Sequence, residues 1–185
     1  MIEHVGWYVA RATGLTAVTS LWLSMVFGLG LSGRGLGGWL PPAAAVHLHR
    51  YWSVLGTVAT LAHALAATLA PGSTTPPVSL LVPGLGADLP RAMALGTVAT
   101  WMLVAVALSS AFRSRLSPGA WRTLHASALG AWVLGLAHAW RAGSDLDNPI
   151  ARSMLVAATV TVPVLLGLRA LSERRAPPSG RRPSS

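Results

Sequence analysis

The sequence predicts an all-α membrane protein, a polytopic bundle of about five transmembrane helices. Three observations predict it. Of the 185 residues 52% are hydrophobic and only 10% charged, too few charges to cover the surface of a soluble domain of this size. Five apolar runs are each long enough to cross a hydrocarbon core of ~30 Å, which takes about 20 helical residues. The links between them are rich in Gly, Pro, Ser and Asp, residues that satisfy turns or end helices.

The first span is expected near Val5–Leu31 and ends in "SGRGLGGWLPP". It is too long for the apolar core of a cleaved signal peptide and lacks a basic flank, so it is expected to stay as a helix. The second span, His47–Leu69, leads into "PGSTTPPVSLLVPGLGADLPR". The third, Ala92–Phe112, stops at "RSRLSPG", and the fourth, Ala120–Trp140, at "RAGSDLDNP". The fifth covers Ile150–Leu171. Residues 172–185, "SERRAPPSGRRPSS", are too polar to pack and are expected to form a disordered cytoplasmic tail behind one membrane domain, residues 1–171.

The net charge of +9 comes entirely from arginine, since the chain has no lysine. Its placement argues against nucleic acid as the partner and for lipid. Ten arginines (Arg34, Arg50, Arg113, Arg115, Arg122, Arg169, Arg174, Arg175, Arg181, Arg182) fall on the side of the first and third loops and the C-terminus. Four (Arg11, Arg91, Arg141, Arg152) fall on the other. The positive-inside rule then expects a multi-pass protein of the cell (plasma) membrane, N-terminus outside and C-terminus in the cytoplasm. There is no cysteine, which excludes disulfides, iron–sulfur clusters, thiolate haem ligation and covalent c-type haem.

The chemistry is carried by histidine. The second span, in "LHRYWSVLGTVATLAHAL", holds His49 and His63, fourteen positions apart; the fourth, in "LHASALGAWVLGLAHAW", holds His125 and His138, thirteen apart. Both spans run in the same direction, so His49 and His125 share the cytoplasmic level and His63 and His138 the outer one. Fourteen residues rise roughly 21 Å and return to within about 40° of the same helix face. A buried imidazole needs a partner, and ionisable residues inside a membrane mark function. Two non-covalent b haems, each ligated by one histidine from each span, meet that need. The thirteen-residue interval fits less well, because an ideal helix turns His138 about 140° from His125. Gly130 and Gly135 are plausible places for a distortion. His47, at a span start, and His4, at the N-terminus, are not assigned as ligands.

Haem propionates are anions, and Arg grips carboxylates through a planar fork. Arg50 and Arg122 flank the inner histidines and are candidates for the inner propionates, against an ordinary positive-inside role. Arg11, inside the first span near its outer end, is a candidate for an outer propionate or an anionic substrate, against simple snorkelling. Trp7, Trp39, Trp52, Trp101, Trp121 and Trp140 are placed near span ends as interfacial anchors.

With these residues in place the chain resembles the ferric reductase-like transmembrane domain family. That family includes the membrane cores of ferric reductases and NADPH oxidases and the haem subunit of a bacterial periplasmic methionine-sulfoxide reductase. The resemblance rests on "ARATGLTAV", "LHRYWSVLGTVATLAHAL", "SLLVPG" and "WRTLHASALGAWVLGLAHAWRAGSD", covering most of residues 8–147. It implies His49 and His125 as ligands of the inner haem, His63 and His138 as ligands of the outer haem, and Arg11 near the outer haem. It also makes the thirteen-residue interval expected. Five spans stand where relatives often have six, and no flavin or nicotinamide domain is expected: "GLGLSGRGLGG" follows a membrane span and opens no βαβ unit.

The expected function is transmembrane electron transfer by an oxidoreductase membrane subunit. The donor is a separate flavin reductase or a quinol. The acceptor lies outside: ferric iron, oxygen, or a partner redox protein docking near Leu80–Leu85. The alternative is a non-catalytic anchor or assembly subunit of a redox complex. A proton-relay transporter would want intramembrane carboxylates, and the five acids all lie in loops or termini.

Overall fold

The computed structural model describes residues 5–31, 40–71, 73–85 and 89–175. The regular structure among the described residues is all helical: α1 (Val5–Leu31), α2 (Pro42–Leu69), α3 (Pro90–Ala111), α4 (Pro118–Ala126), α5 (Ala128–Ala142) and α6 (Pro149–Arg175). Short 3-10 turns cover Pro77–Leu80 and Arg113–Arg115. Helices α1, α2, α3 and α6 are long and apolar enough to cross a membrane. His4, Arg34, Trp39, Arg181, Arg182, most of the first loop and tail residues 176–185 lie outside the described residues.

Four helices start on a proline: Pro42, Pro90, Pro118 and Pro149. Proline at the first helical position loses no hydrogen bond, because that N–H has no intrahelical acceptor, and its fixed φ suits the helix. These starts therefore precede the apolar runs, by five residues in α2. The Ser117 hydroxyl accepts from the Ala120 N–H at 3.2 Å to cap α4, and Asn148 Oδ1 accepts from Ile150 N–H at 2.9 Å to cap α6.

The fourth predicted span is two helices. At Ser127 the backbone N–H is shared between the Thr123 and Leu124 carbonyls at 3.3 and 3.2 Å. The Ser127 hydroxyl donates to the Leu124 carbonyl at 2.6 Å. A serine bonded back into the preceding turn competes with the helix ladder and bends it. The distortion thus falls at Ser127, not at the glycines. Gly130 instead serves packing: a Cβ there would lie 2.7 Å from Met102 Cε. Among the described residues nothing lies within 4 Å of a Cβ at Gly135.

Helix α1 packs along α2 and α3 along α5, while α6 lies against α1 and α5. The interior is lined by small residues: Ala17, Ala59, Ala99, Ala131, Ala158, Ser20 and Ser24 are all buried. Large apolar residues such as Val54, Val133, Val160 and Leu168 face outward, each more than half exposed. That distribution inverts a soluble protein and fits a bundle whose helices approach through small side chains while large ones meet lipid. One larger apolar cluster, Trp132, Leu136, Leu155, Ala158 and Val162, joins α5 to α6.

Candidate functional site

The four candidate histidines come together as two pairs. His49 on α2 faces His125 on α4 with ring centroids 6.0 Å apart and planes at 73°. His63 on α2 faces His138 on α5 at 6.2 Å and 68°. All four rings are half-buried. Two metal–imidazole bonds of ~2.0–2.1 Å plus the half-ring beyond each nitrogen add to roughly 6–6.5 Å. Both gaps therefore match one metal held between two imidazole nitrogens. A bare zinc ion takes three or four protein ligands, whereas two are offered at each level, a number that would suit a haem iron.

The hydrogen bonds select the nitrogen that is free. His49 Nδ1 lies 2.9 Å from the Ser24 carbonyl, His63 Nδ1 2.7 Å from that of Ala10, and His138 Nδ1 2.8 Å from that of Ala92. A carbonyl only accepts, so each of these Nδ1 atoms carries the proton and each Nε2 keeps its lone pair. Such a bond to the second ring nitrogen is what orients metal-ligating histidines and fixes their tautomer.

A glycine stands one helical turn beyond each acceptor: Gly14 after Ala10, Gly28 after Ser24, Gly96 after Ala92. A Cβ at these glycines would sit 2.9, 3.0 and 2.8 Å from the Nδ1 of His63, His49 and His138 respectively. Glycine is what lets each imidazole reach a carbonyl inside the neighbouring helix. None of the three is singled out by sequence reading, although a signal exists. "ARATGLTA" (10–17) and "AMALGTVA" (92–99) share alanine at three positions and glycine at one, and "LAHA" occurs at both 61–64 and 136–139. The pair α1–α2 and the pair α3–α5 are thus two versions of one helical hairpin. Ala10, Gly14, Ser24 and Gly28 correspond to Ala92, Gly96, Val106 and Ser110, each 82 positions on.

At the His49 level two hydroxyls add to the network, that of Ser24 buried and that of Ser53 half-buried. Ser53 Oγ donates to the His49 carbonyl at 2.7 Å and lies 2.6 Å from Ser24 Oγ, which is 3.1 Å from His49 Nδ1.

Among the described residues, the candidate arginines Arg11, Arg50 and Arg122 make no hydrogen bond to the four histidines. Arg11 forms an ion pair with Asp145 in the α5–α6 loop, its Nε donating to Oδ2 at 3.0 Å. Its guanidinium also lies 4.1 Å over the Trp7 ring. Arg50 and Arg122 are exposed at the end of the bundle that holds His49 and His125. His47 is exposed.

Two tryptophans have protein partners. Trp101 lies in mid-α3 and not at a span end, its indole N–H donating to the Leu80 carbonyl at 2.9 Å. Trp140 donates to Thr159 Oγ1 at 3.0 Å. The Thr97 hydroxyl donates to the Ser79 carbonyl at 3.0 Å, so the Pro77–Leu80 turn is folded back along α3, leaving Leu81 73% exposed beyond it.

No family model matches this chain, and neither a curated protein nor a solved structure matches it.

Proposed function

We propose that this chain is the membrane core of an oxidoreductase of the ferric reductase-like kind. In this reading it passes electrons through two bis-histidine b haems from a cytoplasmic flavin reductase or a quinol to an acceptor outside. That acceptor is ferric iron, oxygen or a partner redox protein. The observation that carries the reading is the pair of histidine sites, 6.0 and 6.2 Å between ring centroids, with Nδ1 engaged by a carbonyl in three of the four rings.

Haem at each level would supply reversible one-electron chemistry. The chain's own groups do the rest. His49 and His125 would hold the inner group, His63 and His138 the outer one. The carbonyls of Ser24, Ala10 and Ala92 keep Nε2 of their histidines unprotonated and raise its basicity. Gly14, Gly28 and Gly96 let the rings approach. A vertical step of roughly 21 Å along α2 separates the two levels.

Arg50 and Arg122, exposed near the inner pair, are free to turn toward propionates at that level. Arg11 would serve an outer anion only by exchanging it for Asp145 or by sharing its fork between the two. With the arginine-rich end in the cytoplasm, the Leu80–Leu85 segment faces outside, where an acceptor protein would dock.

The test is a reduced-minus-oxidised absorbance spectrum of the purified protein with haem quantified per chain. Two b haems are expected, falling to one in His63→Ala or His138→Ala. A chain expressed with ample haem that binds none would overturn the reading and leave a non-catalytic membrane anchor as the better one.

A further inference from the structure

The four histidines are not held alike. Three donate from Nδ1 to a carbonyl at 2.7–2.9 Å. Among the described residues the hydrogen-bonding partner of His125 is the Ser110 hydroxyl, at 3.5 Å, the outer limit of a hydrogen bond. A hydroxyl both donates and accepts, so it does not fix the tautomer. Ser110 occupies the fourth place of the hairpin repeat, where the other three places are glycine, and Val106 stands where they offer the accepting carbonyl. At the glycines a Cβ would meet Nδ1 at 2.8–3.0 Å. At position 110 that Cβ exists, and the ring of His125 stays short of the Val106 carbonyl.

Two further features single out His125. It lies on α4, nine residues long, two positions before the break at Ser127, so the helix that carries it is short. In place of a carbonyl it has a stacked ring: Trp121 lies 4.9 Å away at 22°, and the Arg113 guanidinium sits 4.4 Å over the same indole. The Trp121 N–H is buried without a partner among the described residues, so stacking, and not a hydrogen bond, places this ring.

We propose that Ser110 is a positioning residue that leaves His125 the weakest-held of the four ligands, making the His49/His125 level the one that releases its haem first. The proposal rests on the two-haem reading and adds to it an asymmetry between the levels. A cytoplasmic-side group held on one firm and one loose ligand is the one open to exchange or loss when haem is scarce.

The experiment uses the full-length holoprotein and follows haem transfer to excess apomyoglobin, together with a redox titration. Two phases of loss are expected, the faster from the His49/His125 level, assigned by its survival in His63→Ala. Ser110→Gly opens the path to the Val106 carbonyl and is expected to slow the fast phase about fivefold, the worth of one regained hydrogen bond. It is also expected to lower the midpoint potential of that level alone, because a carbonyl-bonded Nδ1–H makes the ligand more basic and favours the oxidised metal. Ser110→Ala keeps the Cβ and is expected to slow nothing. General loosening of α3 by a new glycine would act in the opposite direction. The proposal is overturned if Ser110→Gly leaves the fast phase and the potential unchanged, if it speeds loss, or if the fast phase belongs to the His63/His138 level. A protein with no haem to transfer fails the earlier reading instead.

Discussion

At the scale of single residues, the site depends as much on glycine as on histidine. An imidazole in a bundle can reach a carbonyl already used by its own helix only if the residue one turn on has no side chain. Gly96→Ala places a methyl 2.8 Å from His138 Nδ1, too close for the ring to remain. We expect it to halve the haem content by emptying the outer level while the absorbance of the inner level persists. Gly135→Ala is the control, since among the described residues nothing lies within 4 Å of its Cβ. That substitution is expected to keep both haems and to stabilise α5 by about 0.5–1 kcal/mol, the ordinary difference between alanine and glycine in a helix. Thermal unfolding and haem quantification on the two variants separate the effects. The histidines were legible in the sequence because a titratable side chain inside an apolar run stands out against its surroundings. The glycines were not, because glycine is common in membrane helices, and setting 10–17 beside 92–99 marks Gly14 and Gly96 but not Gly28.

At the scale of the element, hydrophobic runs fix that a helix exists better than where it starts or whether it is continuous. The prolines at Pro42, Pro90, Pro118 and Pro149 read as loop residues by composition, yet each opens a helix. The break at Ser127 left no compositional trace, since it depends on one hydroxyl turning back to the Leu124 carbonyl. That break is also why two histidines thirteen residues apart can both face α2. His125 and His138 lie on different helices, so a rotation of ~100° per residue does not carry from one to the other. The interval should accordingly be intolerant of change on the α5 side. Inserting one alanine between Leu129 and Gly130 adds ~100° and ~1.5 Å to whatever precedes it. It would also move Gly130 from its seat against Met102. We expect one haem per chain in that variant, with the His63/His138 level retained, and a chain still holding both would show that α4 adjusts freely.

At the scale of the whole molecule, the arrangement is one hairpin used twice, with α6 packed outside it. The small residues that line the interior and the large ones that face out make sense only in lipid. At the end with fewer arginines, the Arg11–Asp145 ion pair ties α1 to the α5–α6 loop. The arginine distribution, ten against four, is the ground for the proposed orientation, which in that proposal decides which histidine level a cytoplasmic donor would meet. Because the chain has no cysteine, it can be mapped by introducing one at a time. Ser114 lies in the exposed turn at Arg113–Arg115, and Ser144 is exposed in the loop beyond α5. In intact cells an impermeant thiol reagent is expected to label Ser144→Cys and to spare Ser114→Cys until the membrane is opened. The reverse pattern would place His63 and His138 on the cytoplasmic side. The charge rule would then have failed for this chain, and the electron path would run with the carbonyl-anchored pair facing the donor and the loosely held His125 facing the acceptor.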